Sequence, residues 1–444
     1  MTSWGYVVLS AYLALFFGFF GLLLKLFREK TDCPLIFIAP PLWILFEFIR
    51  TYFPVIGFPW SLLGYSQWQN IPLIQISSIT GVYGVSFLIV MFNAAIADLI
   101  LSKTKKHFLN LLLSSLIVIT IIARGWNSIP FGEGGCDCQK IKISVIQGNI
   151  AQDIKWDEEY SEQIVNTYAE LSIYAGTDHD VSLIIWPETS YPDYVDINSP
   201  LFEKVENLIH YTNTPLLMGA VNRKNGRDYN SALLISPDGE IKQTYNKLHL
   251  VPFAEYLPLK KFLFFFGNAF PQIGNFSKGE DYTIFRTPIT DNRKPSFAVL
   301  ICFEDLFPGL ARNFTNKGAN FLVVITNDAH FRESPALWQH FAHSVFRAVE
   351  NRRPVVRAAN NGISGFIDSY GRPIKILDEN GKTVGVRGFV NSTISPSSNK
   401  TIYTRFGDLF VYINILYLVV LSIFARKNNI YPHTKNFGVG VKKL

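Results

Sequence analysis

Three side chains that could together carry out acyl transfer stand out in this sequence. Glu188 closes one apolar run and Cys302 closes another. Lys247 lies between them in a loop-like stretch, 245–258, that also holds Glu255. Acyl transfer through a thioester requires a thiolate, a base that takes the thiol proton and a cation that stabilises the oxyanion. A cysteine with a glutamate and a lysine supplies all three without a histidine.

Each of these residues also has a simpler explanation. A lone cysteine at the end of a strand usually packs as a small core residue. Glu188 could be a surface acid, and Lys247 could be a solvated loop charge. Because the three positions are far apart in the sequence, only the fold can bring them together. The hypothesis therefore depends on the elements that carry them.

Short β-rich runs alternate with helix-like segments through the middle of the chain. The runs predicted to be strands are Ile141–Val145, Ser182–Trp186, Pro215–Ala220, Ala232–Ser236, Ser296–Ile301, Phe321–Thr326, Pro354–Ala358 and Gly365–Asp368. The segments predicted to be helices are Asp157–Ala175, Leu201–Asn213 and Ser334–Arg352. Strands that are apolar along their whole length, with helices between them, are typical of sheets covered by helices. The predicted fold class is α/β, with functional side chains at the strand ends.

The chain is also unusually apolar. Of its 444 residues, 48% are hydrophobic and only 17% are charged, whereas soluble domains carry about 25% charged residues. A transmembrane helix must cross about 30 Å of hydrocarbon. The candidate spans are Ser3–Leu24, Pro34–Tyr52, Val82–Leu101, Phe108–Ala123 and Leu409–Ala425. Five such stretches in one chain predict a multi-pass membrane protein.

The charges beside these spans predict their orientation, because basic residues favour the cytoplasmic side. The basic segments hold Lys25, Arg28 and Lys30; Lys103, Lys105, Lys106 and His107; and Arg426, Lys427, Lys435, Lys442 and Lys443. The connection 53–80 holds no lysine or arginine. We therefore expect residues 125–408 to lie on the extracytoplasmic side.

These patterns divide the chain into five predicted parts. They are a membrane region (1–124), a linker (125–140), a catalytic domain (141–400), a last transmembrane helix (407–426) and a basic cytoplasmic tail (427–444). Cys136 and Cys138 in the linker have no other cysteine or histidine pair nearby, which favours an incidental feature over a redox or metal half-site. We expect no nucleic-acid partner, because the chain holds no basic run interleaved with aromatic residues.

Several motifs make the pattern more specific. They are Val145-Ile-Gln-Gly-Asn-Ile, Lys155-Trp-Asp-Glu, Ile185-Trp-Pro-Glu-Thr, Tyr245-Asn-Lys-Leu-His-Leu-Val-Pro-Phe-Ala-Glu-Tyr-Leu-Pro, Ile301-Cys-Phe-Glu, Thr326-Asn-Asp-Ala, Trp338-Gln-His, Ala359-Asn-Asn-Gly-Ile and Gly57-Phe-Pro-Trp-Ser-Leu-Leu-Gly-Tyr-Ser-Gln. With them the sequence resembles the nitrilase (carbon–nitrogen hydrolase) superfamily and, more closely, the apolipoprotein N-acyltransferase family. The resemblance covers nearly the whole chain. It implies a nitrilase-like α-β-β-α sandwich inserted between transmembrane α-helices.

The resemblance also implies roles for individual residues. It makes Cys302 the nucleophile, Glu188 the general base and Lys247 the group that stabilises the transition state. The positions it implies as supporting residues are Glu255, a second acid beside the triad; Phe303 and Glu304, which shape the site; and Trp156, on a mobile loop over the lipid entrance.

The activity that the resemblance implies is transfer of a fatty acyl chain from a phospholipid to the N-terminal diacylglyceryl-cysteine of a lipoprotein, at the bacterial inner membrane. We expect a monomer with no cofactor and no metal. His249 and His340 are expected to be structural rather than metal ligands. The alternatives are a membrane-anchored amidase or nitrilase with the same triad, and a degenerate scaffold that binds lipoproteins without acylating them.

Two features depart from the family pattern. His330-Phe331-Arg332 stands where the family commonly has a tryptophan followed by Phe-Gly. The family usually has eight spans, so about three are missing from the five counted here.

The aromatic runs 262–266 and 269–271 are too apolar for an ordinary exposed loop, which favours a lipid-facing lid over a core strand.

Overall fold

A computed structural model describes residues 3–31, 33–130, 140–178, 180–258, 274–286 and 295–430, with residues 3–4 and 425–430 described by their backbone alone. Cys136 and Cys138, the aromatic runs 262–266 and 269–271, and the basic tail from residue 431 onward lie outside the described residues.

The first part of the chain is helical. Its helices are α1 (Ser3–Thr31), α2 (Leu35–Tyr52), α3 (Ile71–Ile74), α4 (Ser77–Thr80), α5 (Val82–Ser102) and α6 (Lys105–Ser128). Among the described residues, four of these helices (α1, α2, α5 and α6) are long and apolar enough to cross a membrane. Helix α6 ends at Ser128, inside the segment predicted to be a linker.

The second part alternates strands and helices. Its strands are β1 (Ile141–Gln147), β2 (Leu183–Ile185), β3 (Leu216–Lys224), β4 (Arg227–Ile235), β5 (Ile241–Asn246), β6 (Phe285–Arg286), β7 (Ser296–Ile301), β8 (Phe321–Thr326), β9 (Val355–Ala359), β10 (Gly365–Ile367), β11 (Pro373–Ile376) and β12 (Gly388–Ile394). Its helices are α7 (Glu158–Gly176), α8 (Pro200–Thr212), α9 (Pro308–Asn316), α10 (Ala336–Asn351), α11 (Ile402–Phe406) and α12 (Leu409–Ile430). The apolar part of α12, Leu409–Phe424, is shorter than the four N-terminal spans.

The strands form two six-stranded sheets, in the orders β12-β1-β2-β3-β4-β5 and β11-β10-β9-β8-β7-β6. Side chains alternate along each strand, so one face of β2 (Leu183 and Ile185) packs toward the second sheet while Ile184 packs under α7 and α8. Helices α9 and α10 cover the second sheet. The predicted α/β class and the four-layer sandwich are confirmed.

All eight predicted strands are present, β7 and β8 with the predicted bounds and the other six with shifted ends, but β5, β6, β11 and β12 were not predicted. Three of these strands are partly exposed over most of their length (β5, β11 and β12), so they lack the continuous apolar run that marks a buried strand. The stretch 245–258 begins with the last two residues of β5, and Lys247 is the first residue of the loop that follows this strand.

Helix α10 joins the sandwich to the membrane helices. Trp60 donates a hydrogen bond from its indole Nε1 to Gln339 Oε1 (2.8 Å), and the Trp68 ring stacks on Trp338 at 5.7 Å. At the other end of the helix, the backbone N–H of Val82 donates to the Glu350 carboxylate at 3.0 Å. Helix α10 therefore contacts the N-terminal helical part near both of its ends.

Arg347, in the second half of α10, is fully buried and links both parts of the chain. It donates to the Asp305 carbonyl (3.0 Å) and to the Tyr65 hydroxyl (3.2 Å), and it pairs with Glu350 at 2.7 Å. A buried ion pair adds little net stability compared with apolar residues, but the loss of one partner leaves an uncompensated charge.

We expect Arg347→Met to destabilise the fold by about 3 kcal/mol, because it leaves the buried Glu350 carboxylate without its ion-pair partner. The measurement is the apparent unfolding temperature in detergent, which should fall by roughly 5 °C or more. Arg387→Met is the control, since Arg387 and Glu170 are exposed and 3.8 Å apart. Equal effects of the two variants would contradict the assignment.

Candidate active site

The three side chains proposed for catalysis all follow strands. Cys302 comes directly after β7, Lys247 directly after β5, and Glu188 shortly after β2. Cys302 has φ +52°, in the left-handed region that a residue with a side chain seldom adopts. Gly219 in β3 lets the backbone carrying Glu188 approach closely, because a Cβ there would lie 2.7 Å from the Glu188 Cα.

The Glu188 carboxylate is buried and held by three donors. Its Oε1 accepts from Asn230 Nδ2 (2.8 Å) and from Lys247 Nζ (3.4 Å), and its Oε2 accepts from the backbone N–H of Asn327 (2.8 Å). Burial alone raises the pKa of Glu188, but Lys247, Asn230 and Lys155 outweigh it, so the pKa lies below its ordinary value. At rest this group is a carboxylate that can accept a proton.

Lys247 is fully buried between two carboxylates. Its Nζ lies 2.9 Å from Glu255 Oε1 and 3.4 Å from Glu188 Oε1. Burial alone lowers the pKa of the ammonium, but Glu255 and Glu188 raise it above its ordinary value. Glu255 is fixed in turn by the backbone N–H of Val251 (2.7 Å) and by Asn230 (2.9 Å). Lys247 therefore stays charged and can stabilise an oxyanion.

The Cys302 thiol is partly buried beside these charges. Burial and the nearby Glu188 carboxylate raise the pKa of Cys302 well above its ordinary value, and the Lys247 ammonium offsets only part of that. The resting pair is therefore a neutral thiol and a charged carboxylate. Protonation of Glu188 would remove one of the causes that raise the pKa of Cys302.

Glu304 connects the two segments that carry Cys302 and Lys247. It is fully buried and accepts hydrogen bonds from the Tyr245 hydroxyl (2.8 Å) and from the backbone N–H groups of Leu248 (2.6 Å) and Ile301 (2.8 Å). Burial raises the pKa of Glu304 to about 7. These hydrogen bonds tie the start of the Cys302 turn to the segment that carries Lys247.

The other two supporting residues predicted from the resemblance lie further out. Phe303 is partly buried, with its ring edge-on to Phe307 at 5.3 Å. Half of the Trp156 side chain is exposed. Its neighbour Lys155 points inward, so the turn 151–156 presents an aromatic ring to the surface and an ammonium to the site.

Lys155 is a site residue whose role the sequence did not indicate. It is only 2% exposed and donates from Nζ to the backbone carbonyl of Glu188 at 3.1 Å. Burial lowers the pKa of Lys155 to about 8, against the opposing effect of Glu188 and Cys302. Asn230 and Asn327 were also missed. A lysine next to a tryptophan gives no sign of burial, and an asparagine gives no sign of bridging two acids.

A second buried cluster lies directly behind the cysteine turn. His340 holds Asp328 Oδ1 at 2.9 Å and Asp305 Oδ1 at 3.0 Å, and Arg357 pairs with both aspartates at 3.0 and 3.1 Å. Burial alone lowers the pKa of His340, but the two aspartates raise it to about 9. Across the described ranges, no group of three or more histidine, cysteine or acidic side chains is arranged to hold a metal ion.

Two other histidines noted in the sequence have different surroundings. His249 stacks on Phe307 with ring centroids 4.5 Å apart, and its burial lowers its pKa to about 4. His330 lies in the short turn of residues 328–331, where Phe331 packs against Trp60 at 5.3 Å.

Both parts of the chain match known protein families. Residues 142–395 match the carbon–nitrogen hydrolase family, and residues 1–95 match the N-terminal domain of apolipoprotein N-acyltransferase. The apolipoprotein N-acyltransferase of Geobacter metallireducens is 35% identical over 96% of this chain and 81% of its own length. The Haemophilus influenzae enzyme of that name is 32% identical, over 95% and 80%. The crystal structure of Saccharomyces cerevisiae Nit3, a nitrilase superfamily member, matches 67% of this chain at 18% identity with a TM-score of 0.44.

The His340 cluster predicts a pH dependence of stability. The pKa of His340 is about 9 in the folded state and near 6.5 in an unfolded chain. Because the folded state binds this proton more tightly than the unfolded chain does, the protonated His340 stabilises the fold by an amount on the order of 3 kcal/mol. This stabilisation is fully present below about pH 6.5 and is lost as the pH rises through 9.

We expect the apparent unfolding temperature of the native chain to fall between pH 6.5 and 9.5, and to fall distinctly less in His340→Gln. His330→Gln is the control, since His330 is exposed and lies outside the cluster. Parallel pH curves for the native chain and His340→Gln would show that the imidazolium contributes nothing.

Proposed function

This chain belongs to the apolipoprotein N-acyltransferase family, and on that premise we propose that it moves a fatty acyl chain from a phospholipid, through a thioester on Cys302, to the α-amine of the N-terminal diacylglyceryl-cysteine of a lipoprotein. The observation that carries the mechanism is the buried ammonium of Lys247, held between Glu188 and Glu255 beside the thiol.

In the first half of the reaction, the Cys302 sulfur attacks the ester carbonyl carbon of the phospholipid. Its proton passes to the Glu188 carboxylate as the C–S bond forms. The developing oxyanion is stabilised by Lys247, which keeps its charge because of its two acidic neighbours. The C–O bond then breaks, Glu188 returns the proton to the leaving alkoxide, and a lysophospholipid departs.

In the second half, the neutral α-amine of the lipoprotein attacks the thioester carbonyl. A C–N bond forms, the amine gives its proton to Glu188, and the C–S bond breaks. Glu188 then reprotonates the sulfur, which restores the resting thiol and carboxylate. An amide is more stable than a thioester, so the cycle needs no nucleotide.

The membrane helices explain how such an enzyme reaches its donor. An acyl chain loses about 0.8 kcal/mol per CH₂ group on leaving hydrocarbon for water, so a phospholipid does not travel to a soluble enzyme as a monomer. Apolar side chains cover the outer surfaces of α1 and α6, among them Leu15 (58% exposed) and Leu116 (58%). Such surfaces suit a bilayer, and we expect the sn-1 chain to be the one transferred.

The basic segments beside the spans support an extracytoplasmic catalytic domain. With that orientation, residues 1–124 and 407–426 form the membrane part, 125–140 the linker, 141–400 the catalytic domain and 427–444 a cytoplasmic tail. The triad, the supporting residues and the spans all come from one chain, so we propose that the monomer is the active unit. The names of the relatives support acyl transfer over the amidase alternative.

We expect mass spectrometry of the full chain incubated with phospholipid alone to show one fatty-acyl adduct, on Cys302, and none in Cys302→Ala. Glu188→Gln should slow adduct formation by about 10³-fold, because the thiol proton loses its acceptor. The control is Glu170→Gln, an exposed glutamate of α7. An adduct that forms at the native rate in Glu188→Gln would refute the role of Glu188.

The orientation can be tested separately by cysteine labelling. In a background without the native cysteines, Lys224→Cys lies on the exposed tip of the β3–β4 hairpin, and Lys103→Cys lies between α5 and α6. We expect a membrane-impermeant maleimide to label the first in spheroplasts and the second only after lysis. The reverse pattern would place the catalytic domain in the cytoplasm.

A further inference from the structure

A cavity lies apart from the active site, at the end of α10 that points away from Cys302. Its volume is about 590 Å³, and its lining residues come from α4, the end of α6 and three loops of the sandwich. Three of them are cationic: Arg124, Arg352 and Lys400. Among the residues that the structure describes, the lining contains hydroxyl groups, including those of Ser369 and Ser395, but no carboxylate.

Arg352 brings a charge into this cavity without a charged partner of its own. It donates to Gln75 Oε1 (2.8 Å) and to the Ser369 carbonyl (3.2 Å), and its guanidinium lies 4.4 Å from the centre of the Tyr370 ring. Asp368 is close enough to act on Arg352 electrostatically, but its carboxylate is bonded to Arg372 at 2.5 Å. The contacts of Arg352 are therefore with neutral groups.

The other two cations are also poorly compensated. Lys400 is exposed, and its Nζ reaches the Asn316 carbonyl at 3.5 Å. Within the described part of the chain, Arg124 has no hydrogen bond or ion pair, and its side chain is exposed. Three positive charges around one cavity, with no acid among the described residues of its lining, produce a field that attracts an anion.

The position of the cavity adds a second constraint on the ligand that it could bind. Arg124 lies in the last turns of α6, where this span leaves the membrane. Ile402, 49% exposed, lines the cavity seven residues before α12 begins at Leu409. The cavity thus lies where one span leaves the bilayer and another enters it, on the same side as the sandwich whichever way the chain is oriented.

The cavity is separate from the active site. Helix α10 begins beside Trp60 and His340, near the cysteine turn, and ends at Asn351, next to Arg352. Its 16 residues span about 24 Å at 1.5 Å per residue. The backbone N–H of Ser397 in the lining donates to Asn320, just before β8, whereas the active site lies at the opposite end of that strand.

We propose that this cavity binds the phosphate group of a phospholipid with a net negative charge, of which phosphatidylglycerol is the simplest example. A phosphate diester supplies the anion that the three cations attract, and its acyl chains remain in the bilayer beside α6. A zwitterionic headgroup is disfavoured, because its ammonium would add a fourth cation to the cavity.

The test uses the full chain in a neutral detergent and native mass spectrometry with short-chain phosphatidylglycerol, short-chain phosphatidylcholine and inorganic phosphate as separate probes. The test variant is Arg124→Gln with Lys400→Gln. The control is Lys224→Gln with Lys382→Gln, two exposed lysines outside the cavity. Both variants lose two charges, so a general change in net charge affects them equally.

We expect the test variant to bind phosphatidylglycerol about tenfold more weakly than the native chain, the control to bind it as the native chain does, and phosphatidylcholine to bind weakly to all three. Acyl-adduct formation on Cys302 should stay within about twofold in both variants, which separates this site from the proposed catalysis. Equal losses in test and control would overturn the proposal. Inorganic phosphate that binds as tightly as phosphatidylglycerol would overturn the assignment to a lipid.

Discussion

The arrangement of the site depends on one requirement: a buried charge must have a partner. Lys247 is almost completely excluded from solvent, so its ammonium is stable there only because Glu188 and Glu255 lie within ion-pair distance. Glu188 in turn stays ionised because it has Lys247, Asn230 and a backbone N–H as partners. The thiol next to them is neutral for the same reason, since a further negative charge would have too few partners. The protonation states of all three groups therefore depend on one charge balance.

The same requirement explains the polar layer behind the site. Asp305 lies in the same short turn as Cys302, and Asp328 lies just after the end of β8. Both aspartates are buried among apolar residues. His340 and Arg357 neutralise them, and both cations belong to elements of the second sheet and its covering helix. Because His340 lies on α10, which also contacts the membrane helices, the cysteine turn and those helices are connected through one helix.

Much of this structure could be predicted from the sequence. The apolar strands and the spans were predictable because each has a continuous run of one residue class, and Glu188 and Cys302 were noticeable because they end such runs. Strands β5 and β12 were missed because their faces are only partly buried, so their composition is mixed. Lys155, Asn230 and the His340 cluster were missed because burial depends on contacts between segments far apart in the chain. The roles of the triad residues remain a proposal that rests on geometry and resemblance.

The raised pKa of Cys302 has a consequence beyond transfer itself. Peroxides and disulfides react with thiolates and only slowly with thiols. Because burial and the Glu188 carboxylate keep the resting sulfur protonated, the cysteine is unreactive toward such oxidants while no carbonyl group occupies the site. Until an acyl donor binds, the sulfur would therefore react only slowly with oxidants, and it would need neither a disulfide partner nor a repair reaction to preserve it.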